Sequence, residues 1–149
     1  MKTRGFTLIE LLVVMAIIAI LALMATPIYW KKYQSGQQNA QKTAIEDIRK
    51  GIDAYKKASD DGRIAKLPSE SGYPRSLKEL VSGVDDLKNP GKKIYFMREM
   101  PRDPMSKDMS ASSDKTWGTR SSNSPADNPA PGDDVFDVYS LAAAKSGSK

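Results

Sequence analysis

The chain has 149 residues, a formal net charge of +5 and 40% hydrophobic residues, and it contains neither cysteine nor histidine. This length allows one small domain with an additional element. The missing residue types exclude disulfides, zinc sites built from thiolate or imidazole, and catalytic triads that need histidine. Carboxylate, lysine, tyrosine or hydroxyl chemistry and an oxygen-ligated cation stay open.

An apolar segment, residues 6–30, follows a short basic segment, residues 1–5, and Glu10 is its only charged residue. About 20 apolar residues at 1.5 Å each span the roughly 30 Å hydrocarbon core of a bilayer. We predict a transmembrane helix with Lys2 and Arg4 on the cytoplasmic side and the rest of the chain on the other side. The alternatives are a cleaved secretory signal, a buried core helix and a simple membrane anchor.

Glu10 argues against a simple anchor. An ionisable group in a membrane helix costs about 2.5–3.5 kcal/mol unless it finds a partner or reaches the interface. A cut between Gly5 and Phe6 would create an α-amino group about one helical turn from Glu10. A staggered second copy could then bring its own carboxylate to that amine.

The run from Arg4 to Glu10, Arg-Gly-Phe-Thr-Leu-Ile-Glu, and the apolar residues after it resemble the signal of type IV pilins and pseudopilins. The resemblance implies cleavage by a prepilin peptidase after Gly5 and N-methylation of Phe6. It also implies that Glu10 recruits and registers subunits, and that Pro27 stands where the family often has a kinking proline. Interior proline removes a helix hydrogen bond, so Pro27 predicts a bend or an unwinding stretch; a helix end there is the alternative.

Further along, Ile45, Ile48, Ile52 and Tyr55 recur at the spacing of one helical face. We predict that the helix continues to about Ala58, because Gly62 is suited to a left-handed cap. The resemblance implies an α+β type IV pilin fold, with one long amino-terminal helix, transmembrane and then amphipathic, packed under a small head with a short antiparallel sheet. The expected divisions are a leader (1–5), an assembly helix (6–30) and a periplasmic head (31–149).

Within the head, residues 76–81 predict a second helix, and residues 115–120 and 135–141 predict strands. Residues 94–97 fit either a strand or a core turn. Residues 106–134 are rich in Ser, Asp, Asn, Pro and Gly. They predict a long loop that binds a ligand, contacts another subunit or is partly disordered.

Three patches, residues 73–81, 100–104 and 135–141, are similar to landmarks of the major pseudopilin of type II secretion systems and come in the same order. That resemblance implies calcium in the carboxy-terminal loop. A calcium ion takes six to eight oxygen ligands. The candidates by residue type and proximity are Asp133, Asp134, Asp137 and Ser140, of which Asp137 best matches a liganding position. Ala144, Lys145 and Ser146 stand where the family typically supplies another carboxylate.

We expect a structural subunit of a pseudopilus filament that polymerises from the bacterial inner membrane and acts in type II secretion. The alternative is a type IV pilin or a competence (DNA-uptake) pseudopilin that forms an extracellular fibre. The resemblance implies a homo-oligomer, minor pseudopilins, the prepilin peptidase, a membrane assembly platform and a cytoplasmic ATPase as partners.

Two other classes are weighed against the filament subunit. A membrane-anchored DNA-binding module would use a basic helix face, which is better explained as a solvated surface, so no nucleic acid is expected. An enzyme is disfavoured because the adjacent Asp133 and Asp134 lie in a polar loop without the apolar pocket that acid/base chemistry needs. The residues of the basic face are Lys42, Arg49, Lys50, Lys56 and Lys57.

Overall fold

The structure is a computed structural model that describes the backbone of residues 7–146 and, within it, the side chains of residues 7–22 and 35–143. The chain divides into two compact units, Met1–Gln37 and Gln38–Lys149, called here the amino-terminal and carboxy-terminal units. The order of elements is helix α1, helix α2, strands β1 and β2, a 3₁₀-helix, strands β3 and β4, and helix α3. Their bounds are α1 Leu8–Asp60, α2 Leu77–Ser82, β1 Val84–Asp85, β2 Lys93–Ile94, the 3₁₀-helix Ser113–Thr116, β3 Trp117–Arg120, β4 Asp137–Ser140 and α3 Leu141–Ser146.

Helix α1 is 53 residues long and does not end at Pro27. It ends at Asp60, close to the predicted end, in a turn around Gly62, whose φ of 68° is left-handed. The amide of Arg63 donates to the carbonyl of Ala58, and the amide of Gly62 donates to that of Ser59. These two bonds form a Schellman cap, which satisfies carbonyls that the helix leaves without partners.

The core of the carboxy-terminal unit gathers on the apolar stripe of α1. Ile48 and Ile52 are almost completely buried, as is Leu80 of α2. Gly51 leaves room for a close approach, because a Cβ there would lie 2.9 Å from Cγ of Met97. The remaining buried apolar side chains are Ala44, Tyr55, Ala58, Ile64, Leu77, Trp117, Val135 and Val138.

Two antiparallel pairs of strands complete this unit. β1 pairs with β2 in the register Val84↔Ile94, and β3 pairs with β4 from Trp117↔Ser140 to Arg120↔Asp137. The predicted helix at 76–81 and strands at 115–120 and 135–141 are confirmed, and residues 94–97 contribute only Ile94 to a strand. The α+β class is therefore confirmed, with a long helix followed by a small head of short antiparallel strands.

The predicted long loop, residues 106–134, is divided by the 3₁₀-helix and β3. Its first part is organised by Arg102, whose guanidinium donates to the carbonyls of Ala111 and Asp108. Its second part is closed by the amide of Ser121, which donates to the carbonyl of Ala130 at 3.0 Å. Each part is thus closed near its base by a hydrogen bond within the chain.

Candidate functional site

The expected cleavage and methylation site, Gly5 and Phe6, lies outside the described residues. Glu10 lies in the first turn of α1, three residues after Thr7, which precedes the helix. The amide and hydroxyl of Thr7 donate to Oε2 of Glu10 at 2.9 and 2.8 Å. The amide of Glu10 donates in return to Oγ1 of Thr7 at 3.4 Å. This reciprocal pair is a capping box, which satisfies two amides at the helix start and gives the Glu10 carboxylate two donors.

The rest of this helical segment presents apolar side chains to its surroundings. In residues 8–22 every large apolar side chain is at least 50% exposed, and Leu8 is 77% exposed. A contiguous apolar surface of this kind marks a site of contact with lipid or with another protein. Among the described residues, no helix is long and apolar enough to cross a membrane.

Pro27 lies within α1, and its side chain is outside those that the structure describes. The alternative of a helix end at Pro27 is wrong, because α1 continues beyond Pro27 to Asp60. Its role in assembly stays a prediction.

In the carboxy-terminal unit, Asp134 is buried and accepts hydrogen bonds from three serines. The hydroxyls of Ser71, Ser121 and Ser122 donate to its carboxylate at 2.5–2.6 Å, and the amide of Ser122 donates at 2.9 Å. Burial of the carboxyl group raises its pKa, but these hydrogen bonds outweigh that effect and lower the pKa of Asp134 to about 2. Its neighbour Asp133 is exposed.

Asp137, at the start of β4, lies between two arginines. Nε and Nη2 of Arg49 contact its two carboxylate oxygens at 2.7 and 3.1 Å, and Nη2 of Arg120 lies 3.5 Å from Oδ2. Burial raises the pKa of Asp137, and the hydrogen bond from Arg49 outweighs it, so the pKa lies below its ordinary value. The carboxylate is therefore charged at neutral pH.

Ser140, at the end of β4, belongs to a third network. Its hydroxyl donates to Oδ2 of the buried Asp103 at 2.5 Å and accepts from the amide of Ala143 in α3. Oδ1 of Asp103 accepts from the side-chain amide of Gln41 and from the amide of Met105. Asp103 thus connects α1, the turn after Pro101 and the end of β4.

The four predicted calcium ligands are therefore not gathered around one point. Asp134, Asp137 and Ser140 each belong to a different hydrogen-bond network, and the Asp137 oxygens already face guanidinium groups. In the part of the chain that the structure describes, no three Asp, Glu, His or Cys side chains are placed to hold a metal ion. Because calcium needs six to eight oxygens, this donor set does not fit the ion. Calcium binding stays a prediction from the resemblance alone.

The basic face of α1 is partly neutralised by acids of the same unit. Arg49 pairs with Asp137, Lys50 with Asp47 at 3.2 Å, and Lys56 with Asp60 at 2.5 Å. These pairs fit a solvated helix face of mixed charge.

The sequence analysis does not predict three of these contacts. The capping box follows the spacing of Thr7 and Glu10, which is its usual signal. The bidentate contact of Arg49 joins residues 88 positions apart, and no local pattern indicates it. Asp103 lies between two prolines in a turn, which does not distinguish a buried carboxylate from an exposed one.

Comparisons with known proteins agree with this description. Residues 1–26 match the family described as the prokaryotic N-terminal methylation motif. The chain is 40% identical over 81 residues to a ComG operon protein 3 homolog of Bacillus licheniformis, covering 52% of this chain and 82% of that protein. It is also 46% identical over 54 residues to the fimbrial protein EcpB of Eikenella corrodens, covering 32% of this chain and 34% of that protein. No solved structure matches the chain significantly.

The chain therefore belongs to the type IV pilin-like proteins that carry the N-terminal methylation motif. It is a structural, pilin-like filament subunit and not an enzyme. The motif implies a membrane-anchored protein that is made as a prepilin and processed by a prepilin peptidase.

Proposed function

We propose that the chain forms the shaft of a type IV pilus-like fibre, as a pilin or a competence (DNA-uptake) pseudopilin. The observation that carries this choice is the likeness to a ComG operon protein over 82% of that protein's length, joined by the likeness to a fimbrial protein. This choice replaces the type II secretion subunit as the first candidate.

The proposed assembly step uses the exposed apolar surface of residues 8–22. After cleavage between Gly5 and Phe6 and methylation of the Phe6 amine, copies of the chain are anchored in the membrane. The Glu10 carboxylate of an incoming copy then accepts a hydrogen bond from the protonated Phe6 amine of a copy already in the fibre. On assembly, the apolar surfaces lose contact with lipid and gain contact with one another. The net free energy of assembly therefore comes from helix packing and from this ion pair.

Before assembly, the capping box stabilises the Glu10 carboxylate. Two hydrogen bonds from Thr7 hold its carboxylate at the helix start, which offsets part of the cost of an ionised group in an apolar segment. The carboxylate has further lone pairs, so it can keep these bonds and still accept a hydrogen bond from a neighbouring amine.

The test compares Glu10→Ala with Glu46→Ala, which removes an exposed carboxylate from the same helix. Each variant is expressed in a strain of the source bacterium that lacks the native chain. Mass spectrometry of the membrane protein should show loss of residues 1–5 and one methyl group on Phe6 in both variants. Removing one partner of a buried ion pair costs about 3–5 kcal/mol, so fibres sheared from Glu10→Ala cells should fall by about a hundredfold or more. Normal fibre yield with Glu10→Ala would contradict the proposal.

A second candidate is the type II secretion pseudopilin, whose landmarks the patches 73–81, 100–104 and 135–141 resemble. The three patches that resemble its landmarks contact one another: the amide of Val135 donates to the carbonyl of Pro74 at 2.8 Å, and Ser140 donates to Asp103. The deletion strain separates the two candidates. Loss of surface fibres or of DNA uptake with normal protein export supports the fibre, and loss of export alone supports the secretion pseudopilin.

A further inference from the structure

Two arginine side chains surround the Asp137 carboxylate. The side chain of Asp137 is 23% exposed, and Arg49 donates hydrogen bonds to both of its carboxylate oxygens in a bidentate pair. The amide of Val138 donates to Oδ1 at 2.8 Å, and Arg120 approaches Oδ2. Both oxygens are thus occupied by donors from this chain.

The two arginines come from different elements, and each is held in place. Arg49 projects from α1, where its neighbours Ile48 and Ile52 are buried in the core. Arg120 is the register partner of Asp137 in the β3–β4 pair. Its guanidinium lies 4.7 Å from the ring centre of Phe136 and donates to the carbonyl of Ser124. The charges therefore converge because the strand register and the helix face bring them together.

The resemblance implies a calcium ion near the Asp137 carboxylate. In the structure, the guanidinium group of Arg49 is the cation that contacts it. Arginine matches a carboxylate with two parallel N–H donors and keeps its charge at any physiological pH. A calcium ion would have to displace Arg49 or share Asp137 with it, and the like charges would repel.

We propose that Arg49 and Arg120 replace calcium in fastening the carboxy-terminal strand to α1. The set of Arg49, Asp137 and Arg120 is called here the arginine clasp. It joins α1 to the β3–β4 pair, so the clasp, and not a bound metal, adds to the packing that holds the carboxy-terminal strand on α1.

Two properties distinguish a clasp of this kind from a calcium site. Chelators leave it unchanged, because no metal is involved. Salt weakens it, because Arg49 is half exposed and its attraction to Asp137 is screened.

The test uses the full-length chain in detergent with Trp30→Phe, so that Trp117 of β3 is the sole tryptophan and reports on the strand pair. Thermal unfolding is followed by its fluorescence with excess calcium and with excess EGTA. We expect the same midpoint in both. Arg49→Ala should lower the midpoint by about 4 °C, and Arg49→Ala with Arg120→Ala by about twice that, because the second change leaves Asp137 unpaired. The unfolding midpoint of Arg49→Lys should lie between those of the parent and of Arg49→Ala, because lysine cannot form the bidentate contact.

Lys50→Ala is the matched control, since it removes an exposed ion pair with Asp47 from the adjacent position of α1. Its midpoint should stay within about 1 °C of the parent. The deficit of Arg49→Ala should shrink in about 1 M NaCl, where the screening length falls to about 3 Å. A fall in the parent midpoint with EGTA, or an Arg49→Ala midpoint equal to that of Lys50→Ala, would overturn the proposal. Neither result bears on Glu10, so fibre assembly is tested separately.

Discussion

In residues 8–22 every large apolar side chain is at least 50% exposed, whereas Ile48, Ile52 and Leu80 of the carboxy-terminal unit are at most 1% exposed. The acids differ in the same way. Glu10 has only its own helix start as a partner among the described residues, while Asp103, Asp134 and Asp137 are bound by side chains from distant parts of the sequence. The carboxy-terminal unit satisfies its side chains internally, and the amino-terminal segment leaves its apolar surface for lipid or for other copies.

The largest expected effect comes from replacing one isoleucine in each region by alanine. Ile48→Ala should lower the free energy of unfolding of the carboxy-terminal unit by about 2–5 kcal/mol, because it removes buried atoms and leaves a cavity. Ile17→Ala should leave that free energy unchanged and lower the yield of fibres. Fluorescence of Trp117 in the Trp30→Phe chain measures the first effect, and sheared fibres measure the second. Equal destabilisation by both changes would refute the contrast between the regions.

Much of the fold follows from local sequence signals. The end of α1 is predicted by Gly62, and α2 is predicted by the run Gly72-Tyr73-Pro74 before it and by Gly83 after it, because these signals lie in neighbouring residues. The β1–β2 pair is not predicted, since strands of two residues are too short to show a period. Its signal is the turn-forming run Asn89-Pro90-Gly91 between them.

The candidate sites divide in the same way. Glu10 is conspicuous as the single charge in an apolar segment, so its importance can be predicted from the sequence. The partners of Asp137 cannot, because Arg49 is 88 residues away and looks like any other charge on a polar helix face. Residue type and closeness in sequence predict the calcium ligands, but Asp137 and Ser140, at opposite ends of β4, contact different partners.

The second largest effect is expected at Asp103, the buried acid that connects α1, the turn after Pro101 and the end of β4. Asp103→Ala should cost about 2–3 kcal/mol, because the amide groups of Gln41 and Met105 and the hydroxyl of Ser140 lose a buried acceptor. The same unfolding measurement applies. Asp53→Ala, an exposed acid on α1, is the control and should change the free energy by less than about 0.5 kcal/mol. Similar values for the two variants would argue against a structural role of Asp103.

The pH dependence of stability is expected to identify Asp134. Its pKa in the folded chain is about 2, below the ordinary 3.8, so its contribution is complete above pH 3.8 and is lost as the pH falls through 2. This contribution is about 1–2 kcal/mol near neutral pH. Asp134→Asn should be less stable than the parent at about pH 7 by this amount, and the difference should vanish near pH 2. Asp133→Asn, the exposed neighbour, should keep the pH profile of the parent.

The smallest effect is expected at the helix start of the amino-terminal unit. Thr7→Ala removes the capping box and should cost about 1 kcal/mol locally. Amides of residues 8–11 should exchange with deuterium several-fold faster in detergent, while those of β3 keep their rate. Thr43→Ala, a threonine on the exposed face of the same helix, should leave both sets unchanged. Unchanged exchange in Thr7→Ala would show that the hydrogen bonds to Glu10 do not stabilise the helix start.

The hydrogen bond between Ser121 and Ala130 has a practical use. Residues 125–129 are exposed and lie between these two bonded ends, so extra residues there need not disturb the strands on either side. Each doubling of loop length costs only about 0.6 kcal/mol in closure entropy. An epitope or a fluorophore acceptor peptide inserted after Ala126 should therefore be tolerated, and it would let single fibres be seen growing on living cells.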